Sequence, residues 1–143
     1  MRTYLAKIRI PNDIANNATG DIGEKIFQLW FSLTYQNENL FKQKADRDFA
    51  KIDFADEKGF TYQIKCTKHK TYTFNCALDS LYDHLKAELY VFIQIIDGYA
   101  YIEHLHDKAY CLNYAKSSFT NQAQTFIYAI DKRQECNANS RNE

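Results

Sequence analysis

The sequence predicts an α/β domain with a mixed β-sheet of about five strands flanked by helices, and three observations lead there. An amphipathic stretch from Gly20 to about Tyr35 has helical periodicity. Two segments, Lys51 to Ala55 and Phe60 to Cys66, alternate with period two, as half-buried strands do. Two apolar runs, Leu89 to Ile96 and Tyr99 to His104, are joined by Asp97-Gly98, a strong hairpin signal. The chain has 143 residues, 45% of them hydrophobic, which suits one domain able to bury a core. That domain is expected to span residues 1–130, with 131–143 a polar tail lacking an apolar face. Eleven tyrosines and ten phenylalanines against a single tryptophan favour a pleated surface over a helical bundle.

Taken in order, residues 1–18 read as a short strand or arm followed by an Asn-rich turn. The helix then opens at Gly20-Asp21-Ile22-Gly23-Glu24, with Thr19 or Asp21 as candidate N-cap. Ile22, Ile26, Leu29, Trp30 and Leu33 form the stripe expected to face the core. Phe27 and Phe31 add apolar surface on another side, and Glu24 falls on that side. Its carboxylate either complements the helix N-terminus or points into a site.

Between the two alternating segments, Glu57-Lys58-Gly59 fits a three-residue hairpin loop with Gly59 left-handed. Asp56 then pairs with Phe60, and Asp53 falls opposite Gln63. Because residues two apart on a strand point the same way, Gln63 and Lys65 emerge together, and the hairpin brings Asp53 against them. Further on, Cys76 to Lys86 reads as a helix carrying Leu78, Leu81, Tyr82 and Leu85 on one side. A further helix is expected around His106 to Lys116, and a last strand near Gln124 to Ile130.

The order Glu-bearing helix (GDIGEKIFQLW), Asp-ended strand (AKIDF) and QIKCT strand resembles the PD-(D/E)xK nuclease superfamily over about residues 18–75. The resemblance implies the restriction-endonuclease-like three-layer fold and a Mg²⁺- or Mn²⁺-dependent endonuclease acting on DNA. Junction cleavage, RNA cleavage or a catalytically silent binding module are the alternatives within that fold. It makes Glu24, Asp53, Gln63 and Lys65 the catalytic set, with Asp53, Gln63, Glu24 and the backbone carbonyl of Ile64 as metal ligands. Oxygen donors of this kind suit a hard cation that keeps several waters. Gln63 stands where Glu is commoner, which removes one negative charge from the cage. Asp46 and Asp48 lie close enough upstream to assist, or to replace Asp53 if the register differs. A homodimer is implied because cutting two strands with one site per chain calls for two copies.

Charge and cysteine usage narrow the remaining classes. Eighteen basic and eighteen acidic residues give zero net charge, so any nucleic-acid partner must be held locally. Lys44, Arg47, Lys68, His69 and Lys70 are the expected phosphate contacts, although an exposed basic turn reads the same way. Cys66, His69 and Cys76 make a poor zinc set without a fourth ligand, and Cys66 is expected to point to the core. His104 and His106 read as surface residues. No CxxC pair, Gly-rich phosphate loop or nucleophile elbow is present. Without a long apolar run or signal core, the chain is expected to be a cytoplasmic protein with reduced thiols.

Overall fold

The computed structural model describes residues 4–43, 52–68, 73–78, 87–107, 109–110, 115–120 and 125–131. Six strands form one sheet in the order β1-β7-β6-β4-β3-β2. They are β1 (Ala6–Arg9), β2 (Leu40–Lys42), β3 (Phe54–Asp56), β4 (Thr61–Thr67), β6 (Leu89–Ile96) and β7 (Tyr99–Asp107). A second sheet joins β5 (Thr73–Leu78), β9 (Thr125–Asp131) and β8 (Ala115–Thr120) in the order β5-β9-β8. Helix α1 spans Thr19–Thr34, Ala109 and Tyr110 are also helical, and among the described residues no helix is long and apolar enough to cross a membrane.

This architecture overturns the expected three-layer sandwich flanked by helices: the chain is mostly sheet, and the larger sheet curls into a half-barrel. The two later expected helices fall partly outside the described residues. Cys76, Ala77 and Leu78 belong to β5, paired with Tyr128, Ile127 and Phe126 of β9, while residues 79–86 lie outside the described residues. Over Cys76–Leu78 cross-strand pairing with β9 set the local state. The helix expected around His106 to Lys116 is shorter at both ends: His106 and Asp107 close β7 and Ala115 and Lys116 open β8, while Ala109 and Tyr110 between them are helical and residues 108 and 111–114 lie outside the described residues. The expected last strand is present as β9, extended by one residue into the segment read as tail; residues 132–143 lie outside the described residues.

The centre of the large sheet is β6, pairing parallel with β4 and antiparallel with β7. Its residues are buried from Leu89 through Gln94, as expected for a strand covered on both faces. On one face, Leu89, Val91 and Ile93 join Ile102, Leu105 and the helix in the hydrophobic core. On the other, Tyr90 and Phe92 are fully buried, and His106 stacks on Tyr110 with ring centroids 3.9 Å apart. His106 is thus a buried residue, not the surface residue its sequence context suggested. Between Val91 and Ile93 the β6–β7 register shifts, so that Glu103 and His104 together oppose Phe92, in the manner of a β-bulge.

Helix α1 packs through an aromatic ridge. Phe27 lies 5.7 Å from Phe54 and 5.1 Å from Tyr62, and Phe31 lies 6.1 Å from Tyr62, centroid to centroid. The buried helix residues are Ile22, Gly23, Ile26, Phe27, Trp30 and Phe31, whereas Leu33 is 62% exposed. The core-facing stripe is therefore rotated from the expected Ile/Leu arc toward the phenylalanines, because the large rings bury more apolar area than Leu29 and Leu33. The N-cap is Ala18, without a side-chain cap, in place of Thr19 or Asp21. Its carbonyl accepts the Ile22 amide at 3.0 Å.

Candidate active site

The β3–β4 hairpin forms as its residues dictate. Gly59 sits at φ +90°, a conformation that L side chains rarely adopt, and closes the Glu57-Lys58-Gly59 loop. The Asp56 amide donates to the Phe60 carbonyl at 2.9 Å, and Phe54 and Ala55 pair with Tyr62 and Thr61. The buried Asp56 carboxylate organises the turn. Its Oδ1 accepts the Lys58 and Phe60 amides at 2.9 and 3.0 Å, and its Oδ2 accepts the Tyr62 hydroxyl at 2.7 Å. The sequence places Asp56 opposite Phe60 but gives its carboxylate no task, although an aspartate that opens a turn is a known acceptor for turn amides.

Asp53 lies one residue before β3, where the ladder becomes irregular. Its amide donates to the Tyr62 carbonyl at 2.8 Å, yet the register partner of Tyr62 is Phe54. Two residues of the incoming chain thus oppose one of β4, the signature of a bulge. The Asp53 carbonyl accepts the Gln43 amide at 2.9 Å, and its Oδ2 accepts the Ile64 amide at 2.8 Å. The carboxylate therefore takes a backbone donor that a regular ladder would have paired with a carbonyl.

Glu24 reaches the same neighbourhood from the first turns of α1. Its Oε1 lies 3.5 Å from Nζ of Lys42 at the end of β2. Its carboxyl is held above the usual 4.5, first by burial and next by the negative charge of Asp53, with Lys42 acting in the opposite direction. Helix and bulge thus bring two carboxylates into electrostatic contact, with one lysine offsetting them. In the sequence Lys42 stands out only as the first of the lysine-rich run from 42 to 70, with no sign that it would meet Glu24.

Gln63 and Lys65 belong to the other side of β4. Tyr62 packs on Phe27, and a Cβ added at Gly23 would meet Cys66 and Ile64, so Tyr62, Ile64 and Cys66 face α1. By strand alternation Gln63 and Lys65 face away from the helix, beside Tyr90 and Phe92 of β6. Gln63 is buried and Lys65 half-buried. The structure accordingly brings together Glu24, Asp53 and the backbone of Ile64, while the Gln63 and Lys65 side chains leave the same short segment toward the opposite face.

Lys68 is exposed at the end of β4. Lys44, Asp46, Arg47, Asp48, His69 and Lys70 lie outside the described residues. Cys66 is inward-facing as expected, and burial pushes its thiol up to about 12, which removes it as a thiolate ligand or nucleophile near neutral pH. Among the described residues no group of three or more His, Cys, Asp and Glu side chains is placed to hold a metal ion. The donor set at hand is two carboxylates with neutral backbone atoms beside them. It fits a hard cation that keeps most of its water shell, and does not fit zinc.

Comparison with protein-family models, with curated proteins and with solved structures returns no match.

Proposed function

We propose that this chain is a divalent-metal-dependent phosphodiesterase that cleaves nucleic acid, with DNA as its first substrate. The observation that carries the reading is the meeting of Glu24 and Asp53 at Ile64, the middle residue of Gln63-Ile64-Lys65. The local order implied by the PD-(D/E)xK resemblance supports it: a Glu-bearing helix, a hairpin with Asp53 and the Gln-x-Lys strand, then the β6–β7 hairpin.

Asp53 is held in place by the Ile64 amide and the Gln43 contact, so its carboxylate is preorganised. Glu24 carries excess proton affinity, which a cation would relieve by favouring the ionised form. Lys42, largely exposed, neutralises the pair in the meantime and is free to move. Asp53 and Glu24 would hold Mg²⁺ or Mn²⁺, which when bound supplies Lewis-acid polarisation of the phosphate and a more acidic water. Gln63 and Lys65, on the opposite face of β4, take no part in holding the cation at this pair. Lys68, with Lys44, Arg47, His69 and Lys70, supplies phosphate contacts that carry no base information.

A second reading has one observation in its favour. Gln63 and Lys65 face away from α1, as in a nucleic-acid-binding module that retains the local arrangement without catalysis. A plasmid-nicking assay with and without Mg²⁺ or Mn²⁺ separates the two. The nuclease reading expects metal-dependent nicking that falls on the order of 100-fold or more in Asp53→Ala and in Glu24→Ala. Linear product rising with the square of protein concentration would accord with a homodimer. Absence of cleavage on plasmid, branched DNA and RNA alike leaves the binding module.

A further inference from the structure

The face of the large sheet opposite α1 ends, at the β1 edge, in a cluster of tyrosines and cations. Lys7 pairs with Tyr101 and Arg9 with Tyr99 across β1 and β7. Ala6 and Ile8 point the other way, half-buried against the core, so Lys7 and Arg9 stand outward and exposed. Nζ of Lys7 lies over the Tyr99 ring, 4.5 Å from its centroid, and 5.5 Å from that of Tyr101. Tyr4, 36% exposed, sets its ring against Tyr101 at 4.6 Å. Charged residues on an edge strand discourage pairing with another chain, and that accounts for Lys7 and Arg9. It does not account for three tyrosines gathered around them, still partly open to solvent.

We infer that this rim is a binding surface for single-stranded nucleic acid, bases resting on the tyrosines and phosphates on Lys7 and Arg9. Aromatic platforms interleaved with cations hold single strands, because every base has a stackable face and every linkage a negative charge. A paired duplex keeps its bases inside and cannot use the rings. The Lys7 ammonium stands beside the same rings, so one strand can meet aromatic and cation together.

The choice of a nucleic-acid partner rests on the function proposed above. Lys7, Tyr101, Gln94 and Thr67 form one register row across β1, β7, β6 and β4. Three interstrand steps put Lys7 about 14 Å from Thr67. Thr67 is two residues past Lys65 on the same face. Gln94 is buried in the middle of this row, so a strand held at the rim would follow the β1 edge and not cross the face.

The test is fluorescence anisotropy of the full chain with a labelled oligothymidylate of about 15 nucleotides and a duplex of equal length, in EDTA. The single strand is expected to bind about 10-fold or more tightly than the duplex. Tyr101→Ala and Tyr4→Ala each weaken it about 5- to 150-fold, and Tyr101→Phe retains it. Lys7→Gln lowers the slope of log affinity against log salt by about 0.7. Equal or tighter duplex binding, no strand binding, or full binding by both alanine variants overturns the inference. Because EDTA excludes cleavage, the outcomes are separable from the nicking assay: strand binding without nicking leaves the rim and removes the nuclease, and nicking with an indifferent rim does the reverse.

Discussion

Asp53 and Asp56 sit three residues apart, and the two carboxylates have different tasks. Asp56 is 5% exposed and holds two turn amides and the Tyr62 hydroxyl, so it is a structural acceptor. Removing it strands those donors in a buried turn, and Asp56→Ala is expected to cost about 2 kcal/mol or more in urea unfolding. Tyr62→Phe deletes one of the three bonds and costs about 1 kcal/mol, with cleavage unchanged in both if the proteins are assayed folded. A milder loss for Asp56→Ala than for Tyr62→Phe would contradict this ordering. The sequence marked the hairpin and its loop through Gly59 and the alternation, because those signals are local. It did not mark which aspartate is sequestered, since that depends on where the Tyr62 hydroxyl and the turn amides come to rest.

At the scale of elements, α1 approaches β4 closely at Gly23. A Cβ on Gly23 would stand 2.6 Å from Cβ and 3.1 Å from Sγ of Cys66, and 3.5 Å from Cγ2 of Ile64. The nearest of these atoms is fixed by the β4 backbone and cannot rotate away. Overpacking of about 1–3 kcal/mol therefore outweighs the roughly 1 kcal/mol that alanine gains over glycine in a helix. Gly23→Ala is expected to be destabilising by about 1–2 kcal/mol net, whereas Gly20→Ala, with nothing within 4 Å, is expected to stabilise. Chemical denaturation of the two variants checks the sign of each, and equal shifts would remove the close approach as its cause. The helix itself was legible from periodicity, but its rotation was not: Leu29 and Leu33 fit the apolar arc as well as Phe27 does. Only the rings of Phe54 and Tyr62 on the facing strands select which side turns inward.

For the molecule as a whole, the candidate site should register in stability through pH and metal. Glu24 binds its proton more tightly in the folded chain than in the unfolded one. Its contribution is therefore fully present below the ordinary value of 4.5 and is lost as pH rises through the higher folded value. Melting temperatures of wild type, relative to Glu24→Gln, should accordingly fall as pH is raised through this window. Above it, Mg²⁺ or Mn²⁺ should raise the wild-type melting temperature by mass action and lose that effect in Glu24→Gln and Asp53→Asn. A metal response of equal size in all three proteins would count against these carboxylates as its ligands. With zero net charge, long-range attraction of nucleic acid is weak, so local cations such as Lys68, Lys7 and Arg9 must do the holding.

The sequence by itself determined the short-range features: α1, the β3–β4 hairpin with its left-handed glycine, the β6–β7 hairpin and the inward cysteine of β4. Each depends on a pattern within a dozen residues. Only tertiary structure decided that β5 is a strand, that a bulge sets Asp53 onto the Ile64 amide, and that Glu24, Asp53 and Lys42 gather at one end of α1. The physical reason is that strand pairing is non-local: a β-strand is stabilised by partners far along the chain, and a one-residue slip in register redirects its side chains.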